Sequence, residues 1–523
     1  MIGALSAGTV FEQTLALGST HRYVVDLASG GALRLEVDQQ HVDVALELTA
    51  PDGSRLRVDS PTERGAPEAL CWVSEIAGSH TINIVPFAGA GRYTLRVVAL
   101  SPATVRDRDC VEAQSTFLAA TEFSKPRRRA DQFDRAAERF TAAQEPLRAA
   151  VAWREAGTTL YRADHPAEAI HRFDRALILA RQVGSDYLES SLLNRLGLAY
   201  RAIDDLERAR TTFCAARDHA IATDDFEALA AAWTNLGALL PSLGDPHSAL
   251  DALREAISLW QKLGDRGQEA QAHIHRGDAL GLLDRHHEAA DAYSEALELA
   301  REIHDVRRMA FALQGRGWSL YLQGQAEEAR EFLDRALDFF DDSDTTATIG
   351  LIDRWATVRA AMGDFDGALR VRRELLDRID AESDPRNRAG ALLNLGCLLT
   401  TAGQLAEARG RIDESAEFFD QSSDLSVRAH LAFCRARLAS REGLPNAAIE
   451  QADLALTLLD RLRDNARADG HRFRPLRLWR EYADLASSCP KKAEARDLRA
   501  TFASLAESPV VGRREKEAQN NGP

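Results

Sequence analysis

The chain runs to 523 residues with a formal net charge of −15 and 45% hydrophobic residues. That is ample apolar material for more than one structural unit, and the acidic balance argues against general affinity for nucleic acid or anionic membrane. No stretch approaches the ~18 apolar residues of a membrane span, the start has no basic leader ahead of an apolar run, and Cys71, Cys110, Cys214, Cys397, Cys434 and Cys489 form no Cys-x-x-Cys pair. The cysteines therefore read as small buried thiols in a reducing, cytoplasmic setting.

Residues 1–103 alternate apolar and polar side chains in short runs, such as Leu33-Leu35-Val37, Val42-Val44-Leu46-Leu48 and Tyr93-Leu95-Val97. A period of two is that of half-buried strands. Turn signals at Gly30-Gly31, Pro51-Asp52-Gly53 and Gly89-Ala90-Gly91 separate them, so the segment is expected to form an antiparallel, jelly-roll-like β-sandwich. Residues 104–148 read as a helical connector with an N-terminal half-repeat. Within it, Lys125-Pro126-Arg127-Arg128-Arg129 reads as a solvated loop, because the run is short and lacks interleaved aromatics.

From 149 to 468 an alanine returns at Ala169, Ala209, Ala249, Ala289, Ala329, Ala368, Ala408 and Ala448, in steps of 40, 40, 40, 40, 39, 40 and 40 residues. A small residue precedes it by twelve (Gly157, Gly197, Gly237, Gly277, Gly317, Ala356, Gly396, Ala436). A mostly bulky one follows by four (Phe173, Phe213, Leu253, Tyr293, Leu333, Ile412), with Arg372 and Ala452 as exceptions. Small residues on two consecutive helices allow close approach, and the bulky side chain fills the space beside them. Glycines in Leu-Gly-Asp (243–245), Met-Gly-Asp (362–364), Gly324-Gln325, Gly403-Gln404 and Gly443-Leu444 end the first helix of each pair. The spacing predicts eight 40-residue helix hairpins stacked side by side. Residues 469–507 read as capping helices and 508–523 as a disordered tail.

Asn-Leu-Gly-Ala-Leu-Leu-Pro-Ser-Leu-Gly-Asp (235–245), followed by Ser-Ala-Leu-Asp-Ala-Leu-Arg-Glu-Ala (248–256), resembles a tetratricopeptide repeat, in the longer variant of kinesin light chains and many bacterial sensor proteins. The resemblance implies a mainly α protein, a right-handed α-solenoid behind a small all-β sandwich. The N-terminal segment carries Asp43-Val44-Ala45-Leu46-Glu47-Leu48, Pro51-Asp52-Gly53, Glu75-Ile76-Ala77-Gly78 and Gly91-Arg92-Tyr93-Thr94-Leu95. That succession is similar to the sandwich ahead of repeat arrays in bacterial proteins ending in a caspase-like CHAT peptidase. Such a peptidase needs a histidine to activate a cysteine. His471 and Cys489 do not meet that pattern, so no family active site transfers.

In the solenoid the first helix of each pair lines the concave face, and the family's ligand-facing positions fall here on Arg154, Asn194, Arg195, Asn235, His275, Asp278, Gln314, Trp318, Arg354 and Asn394. Asparagine amides can pair with both groups of an extended peptide bond, arginines with carboxylates, and Trp318 with Tyr321 can form an aromatic shelf. No metal, cofactor or phosphate constellation is recognised: His273 and His275 point different ways on a helix, and no Gly-rich phosphate loop occurs. The expectation is a non-enzymatic, monomeric scaffold or sensor binding a peptide or partner protein, without nucleic acid or membrane. The alternative is the regulatory half of a split CHAT peptidase system, or a truncated member of that family.

Overall fold

The computed structural model describes residues 3–58, 68–339, 345–379, 385–422 and 425–468. The expected capping helices (469–507), the expected tail (508–523) and Cys489 lie outside them. The chain divides into two compact units between Leu239 and Leu240.

The first unit opens with strands β1 (Gly3–Ala4), β2 (Val10–Leu15), β3 (His21–Leu27), β4 (Gly31–Thr49), β5 (Arg55–Val58), β6 (Glu68–Val73) and β7 (Gly78–Pro102). All pairings are antiparallel except that of β1 with β3. The long β4 and β7 pair from Gly31↔Pro102 to Thr49↔Thr81 and serve both halves of the sandwich. Strands β2 and β6 flank one half of that pair, and β3 and β5 flank the other. Bulges between Gln40 and Val42 and between Asp43 and Val44 make this possible. Leu33, Leu35 and Val37 are buried on odd positions before the bulges, and Val42, Val44, Leu46 and Leu48 on even positions after them. One extra residue thus carries the apolar face from one layer to the other. The buried Gln39 side chain fills the defect, its Oε1 accepting the Val44 N–H at 2.7 Å.

Seven helices follow: α1 (Val105–Ala120), α2 (Pro126–Ala142), α3 (Pro146–Arg162), α4 (Pro166–Val183), α5 (Asp186–Ala202), α6 (Leu206–Ala222) and α7 (Phe226–Leu239). The sandwich is tied to them through polar groups as well as apolar ones. Arg34 pairs with Asp107 at 3.1 Å and Glu145 at 2.7 Å. The Gln114 amide donates to Cys71 O at 3.0 Å and accepts from Cys71 N at 2.9 Å, as another strand's peptide group would. Arg148 donates to Gln114 at 2.7 Å and to the Ala69 carbonyl at 3.2 Å, and burial pushes its guanidinium down to about 10.

The second unit contains α8 (Pro246–Leu263), α9 (Arg266–Leu282), α10 (His286–Glu302), α11 (Val306–Leu322), α12 (Ala326–Leu337), α13 (Thr345–Ala361), α14 (Phe365–Arg378), α15 (Pro385–Thr401), α16 (Leu405–Phe419), α17 (Leu425–Arg441) and α18 (Pro445–Ala468). Most helix ends are set by one device. Gln144, Asp164, Gly184, Asp204, Asp224, Gly244, Gly264, Asp284, His304 and Gly324, twenty residues apart, all take left-handed φ between 53° and 85°. The next N–H then reaches back to close the last turn, as Asp205 N to Tyr200 O at 3.0 Å. Where that next residue is aspartate, its side chain caps the following helix, as Asp205, Asp245, Asp265 and Asp305 do.

Within a hairpin, the small-residue spacing does what its chemistry requires. A Cβ on Gly197 would lie 2.4 Å from the Phe213 ring, so that ring packs flat on bare backbone. The cysteines depart from the expectation of unpaired thiols. Cys71 of β6 is joined to Cys110 of α1, and Cys397 of α15 to Cys434 of α17, leaving Cys214 free among the described residues. Each pair is brought together by packing between elements, which spacing along the chain does not reveal. No helix among the described residues is long and apolar enough to cross a membrane.

Candidate functional site

Consecutive first helices pack on one another, α3 on α5 and α5 on α7 in the first unit, and α9, α11, α13, α15 and α17 in series in the second. Consecutive second helices make less contact, so each unit bends toward its first helices and their exposed side chains share an inner face.

In the second unit this face holds a groove of 1210 Å³, lined mainly by α11, α13, α15 and α17. One end is an aromatic shelf: the Trp318 and Tyr321 rings are 5.2 Å apart, and the Arg354 guanidinium stands 5.6 Å over Trp318. The floor is a polar triad. Arg372 occupies the site where other hairpins carry a bulky apolar residue; it pairs with the Asp353 carboxylate at 3.3 Å and donates to the Asn394 carbonyl. The Asn394 amide in turn donates to Asp353. Burial raises the Asp353 carboxyl above its ordinary range despite Arg372 and Asn394, and burial likewise lowers Arg372. At the other end Arg437 donates to the Thr401 hydroxyl at 2.7 Å. Among the described residues the charged lining is four arginines (Arg354, Arg372, Arg437, Arg441) and one carboxylate, Asp353.

Of the residues expected to face a ligand, Trp318, Arg354 and Asn394 are brought together in this groove. Gln314 lies on the same helix as Trp318 but is buried. His275 contacts Gln271 at 3.0 Å and Asp278 at 3.7 Å, while Asp278 accepts the Tyr293 hydroxyl at 2.6 Å. Burial first, and then that carboxylate, push the Tyr293 hydroxyl well up.

The first-unit candidates are engaged with their own neighbours. Arg154 has no exposed surface and bonds Glu155 through Nε and Nη2 at 3.0 and 2.8 Å. Asn235 donates to the Asn194 carbonyl oxygen at 3.1 Å, and Asn194 donates to Ser190 O at 3.2 Å. Arg195 reaches the Thr158 hydroxyl at 3.4 Å.

Asp353, Arg372, His430 and Arg437 were not singled out from the sequence. Arg372 carried a readable signal, as a cation at a position that is otherwise apolar filler. Also unforeseen, the ligand atoms of Cys397, His430 and Cys434 lie within 4.8 Å of one another beside the groove.

Residues 228–302 and 268–342 match the tetratricopeptide-repeat family model, and 351–440 match that of anaphase-promoting complex subunit 5. No curated protein matches the chain in sequence. Among solved structures, the apo form of RapI is similar over 69% of this chain and 99% of its own, at 12% identity and TM-score 0.49. The apo quorum sensor NprR from B. thuringiensis is similar over 67% and 98%, at 13% identity and TM-score 0.47. A signal-transduction ATPase from Pyrococcus horikoshii with a tetratricopeptide repeat sensor is similar over 60% and 46%, at 14% identity and TM-score 0.43. Hairpin geometry, the 40-residue period and the family match agree: the helical part of this chain is built of tetratricopeptide repeats, preceded by a β-sandwich.

Proposed function

We propose that the groove of the second unit binds an extended, acid-rich peptide segment of a partner protein, and that the chain acts by binding rather than by catalysis. The observation that carries this reading is charge. In a chain of net charge −15, the described lining of the groove sets four arginines against one carboxylate. Guanidinium groups form forked, charge-assisted bonds to carboxylates, and a concave wall concentrates their field on whatever enters. The Trp318–Tyr321 shelf offers an apolar face to aliphatic stems between the acidic residues. A basic peptide meets the opposite field at the same place.

Fluorescence anisotropy tests this with two labelled peptide pools of equal length, one rich in Asp and Glu and one rich in Lys and Arg. The acidic pool is expected to bind at low salt and to weaken as ionic strength rises. Binding of the acidic pool is expected to fall about tenfold or more in Arg354→Glu and in Arg437→Glu, each lost charge-assisted contact being worth about 1.5–3 kcal/mol. Equal binding of both pools, or indifference to both substitutions, sinks the reading.

A further inference from the structure

We propose that Cys397, His430 and Cys434 form a binding site for a thiophilic cation of the Zn²⁺ class when their thiols are reduced. The proposal does not depend on what occupies the groove. His430 and Cys434 stand one turn apart on α17, the i and i+4 spacing that presents two ligands on one helix face. Cys397 faces them from α15, and all three ligand atoms fall within 4.8 Å of one another. Two thiolates and an imidazole are a soft-to-borderline donor set, which selects Zn²⁺ over Mg²⁺ or Ca²⁺.

The surroundings suit such a site. Cys434 is fully buried, while Cys397 and His430 also line the groove, so three ligands come from two packed helices and the fourth position opens toward the cavity. That is the arrangement of a zinc site with an exchangeable ligand. The Cys397 and Cys434 Cα atoms are 5.7 Å apart. Tetrahedral zinc holds two thiolates about 2.3 Å from the metal, hence about 3.8 Å from each other. Reduction frees both sulfurs to rotate about Cα–Cβ toward that separation.

The second cysteine pair marks the contrast. Cys71 and Cys110 have the Arg148 guanidinium donating to their sulfurs at 2.8 and 3.1 Å, a fixed cation where a metal would have to sit. Only the pair in the second unit has an imidazole in its place.

The test uses the full chain, reduced with a phosphine that is then removed under argon, and titrated with Co²⁺ and Zn²⁺. One equivalent per chain is expected, with the thiolate-to-cobalt charge-transfer band and the intense visible bands of tetrahedral cobalt. Affinity is expected to drop at least about tenfold in His430→Ala and in Cys434→Ser. It is expected to be unchanged in Cys214→Ala, in Cys489→Ala and in the Cys71→Ala/Cys110→Ala double variant. Because His430 is partly exposed, its alanine variant provides a folded control, checked by circular dichroism. Failure of the reduced wild type to take up metal, or uptake that His430→Ala leaves intact, overturns the proposal.

Discussion

In the first unit the polar side chains on the inner face of α3, α5 and α7 are bonded to their own neighbours. Arg154 is spent on Glu155, Asn235 on Asn194, Asn194 on Ser190, and Arg195 reaches Thr158. In the second unit the equivalent face, from α11 to α17, holds a 1210 Å³ groove with an aromatic shelf at one end and arginines along its wall. The repeat position is the same and its residue types are similar, yet the outcome differs. Where amide meets amide, Asn235 and Asn194 satisfy each other. Where Arg372 replaces the apolar filler and draws Asp353 and Asn394 toward the floor, the wall above stays open.

The contrast can be broken most forcefully at two glycines. Gly197→Ala drives a methyl into the Phe213 ring and is expected to cost about 1–3 kcal/mol in denaturant unfolding. Gly390→Ala on α15 has nothing within 4 Å and is expected to stabilise by about 0.5–1 kcal/mol through backbone entropy. Equal effects at the two would mean that the Phe213 ring does not pack on bare backbone at Gly197. Next in size, Asn194→Ala is expected to lower stability by about 1 kcal/mol while leaving acidic-peptide affinity unchanged. Arg354→Glu is expected to do the reverse, and calorimetry beside anisotropy separates them.

A smaller effect probes a closed part of the second unit. His273 is buried, and burial holds its imidazole below the usual 6.5 despite the Glu295 carboxylate 2.8 Å away. The unfolded chain therefore binds the extra proton first. Stability attributable to this group is full above about pH 6.5 and falls as pH drops through the lowered folded value. Between pH 7.5 and 5.5, wild type is expected to lose under about 1 kcal/mol more than His273→Gln, measured by urea midpoints. Smallest of all, Asp204→Gly removes a side chain from a left-handed φ of 62° and is expected to raise the unfolding free energy by about 0.5 kcal/mol or less, read from urea unfolding.

The helical register was legible because it rests on steric rules that repeat. A small residue that must accept a bulky neighbour, as Gly197 accepts Phe213, and a left-handed residue that must end a helix recur from hairpin to hairpin and stand out as a period. Leu33 to Leu48 showed the alternation of strands for the same reason, though the bulge at Gln40 that switches its face leaves no mark in composition. The groove was only partly legible. Trp318, Arg354 and Asn394 follow from register, but the fate of Arg154 depends on Glu155 folding back onto it, a choice between solvent and neighbour that one sequence does not encode locally. The cysteine pairs are the clearest case. Cys397 and Cys434 sit near equivalent points of successive first helices, a coincidence that acquires meaning only once those helices are known to touch.

The glutamine that sits against the sandwich has one more effect. Outward-facing peptide groups of a border strand are an open invitation to any extended polypeptide, and unprotected ones are how sheets recruit strangers or polymerise. On β6 the N–H and C=O of Cys71 are both answered by Gln114, and the carbonyl of Ala69 by Arg148. A strand adding to β6 at this point would have to displace Gln114 and Arg148, so two side chains from the neighbouring helices guard that stretch of the border.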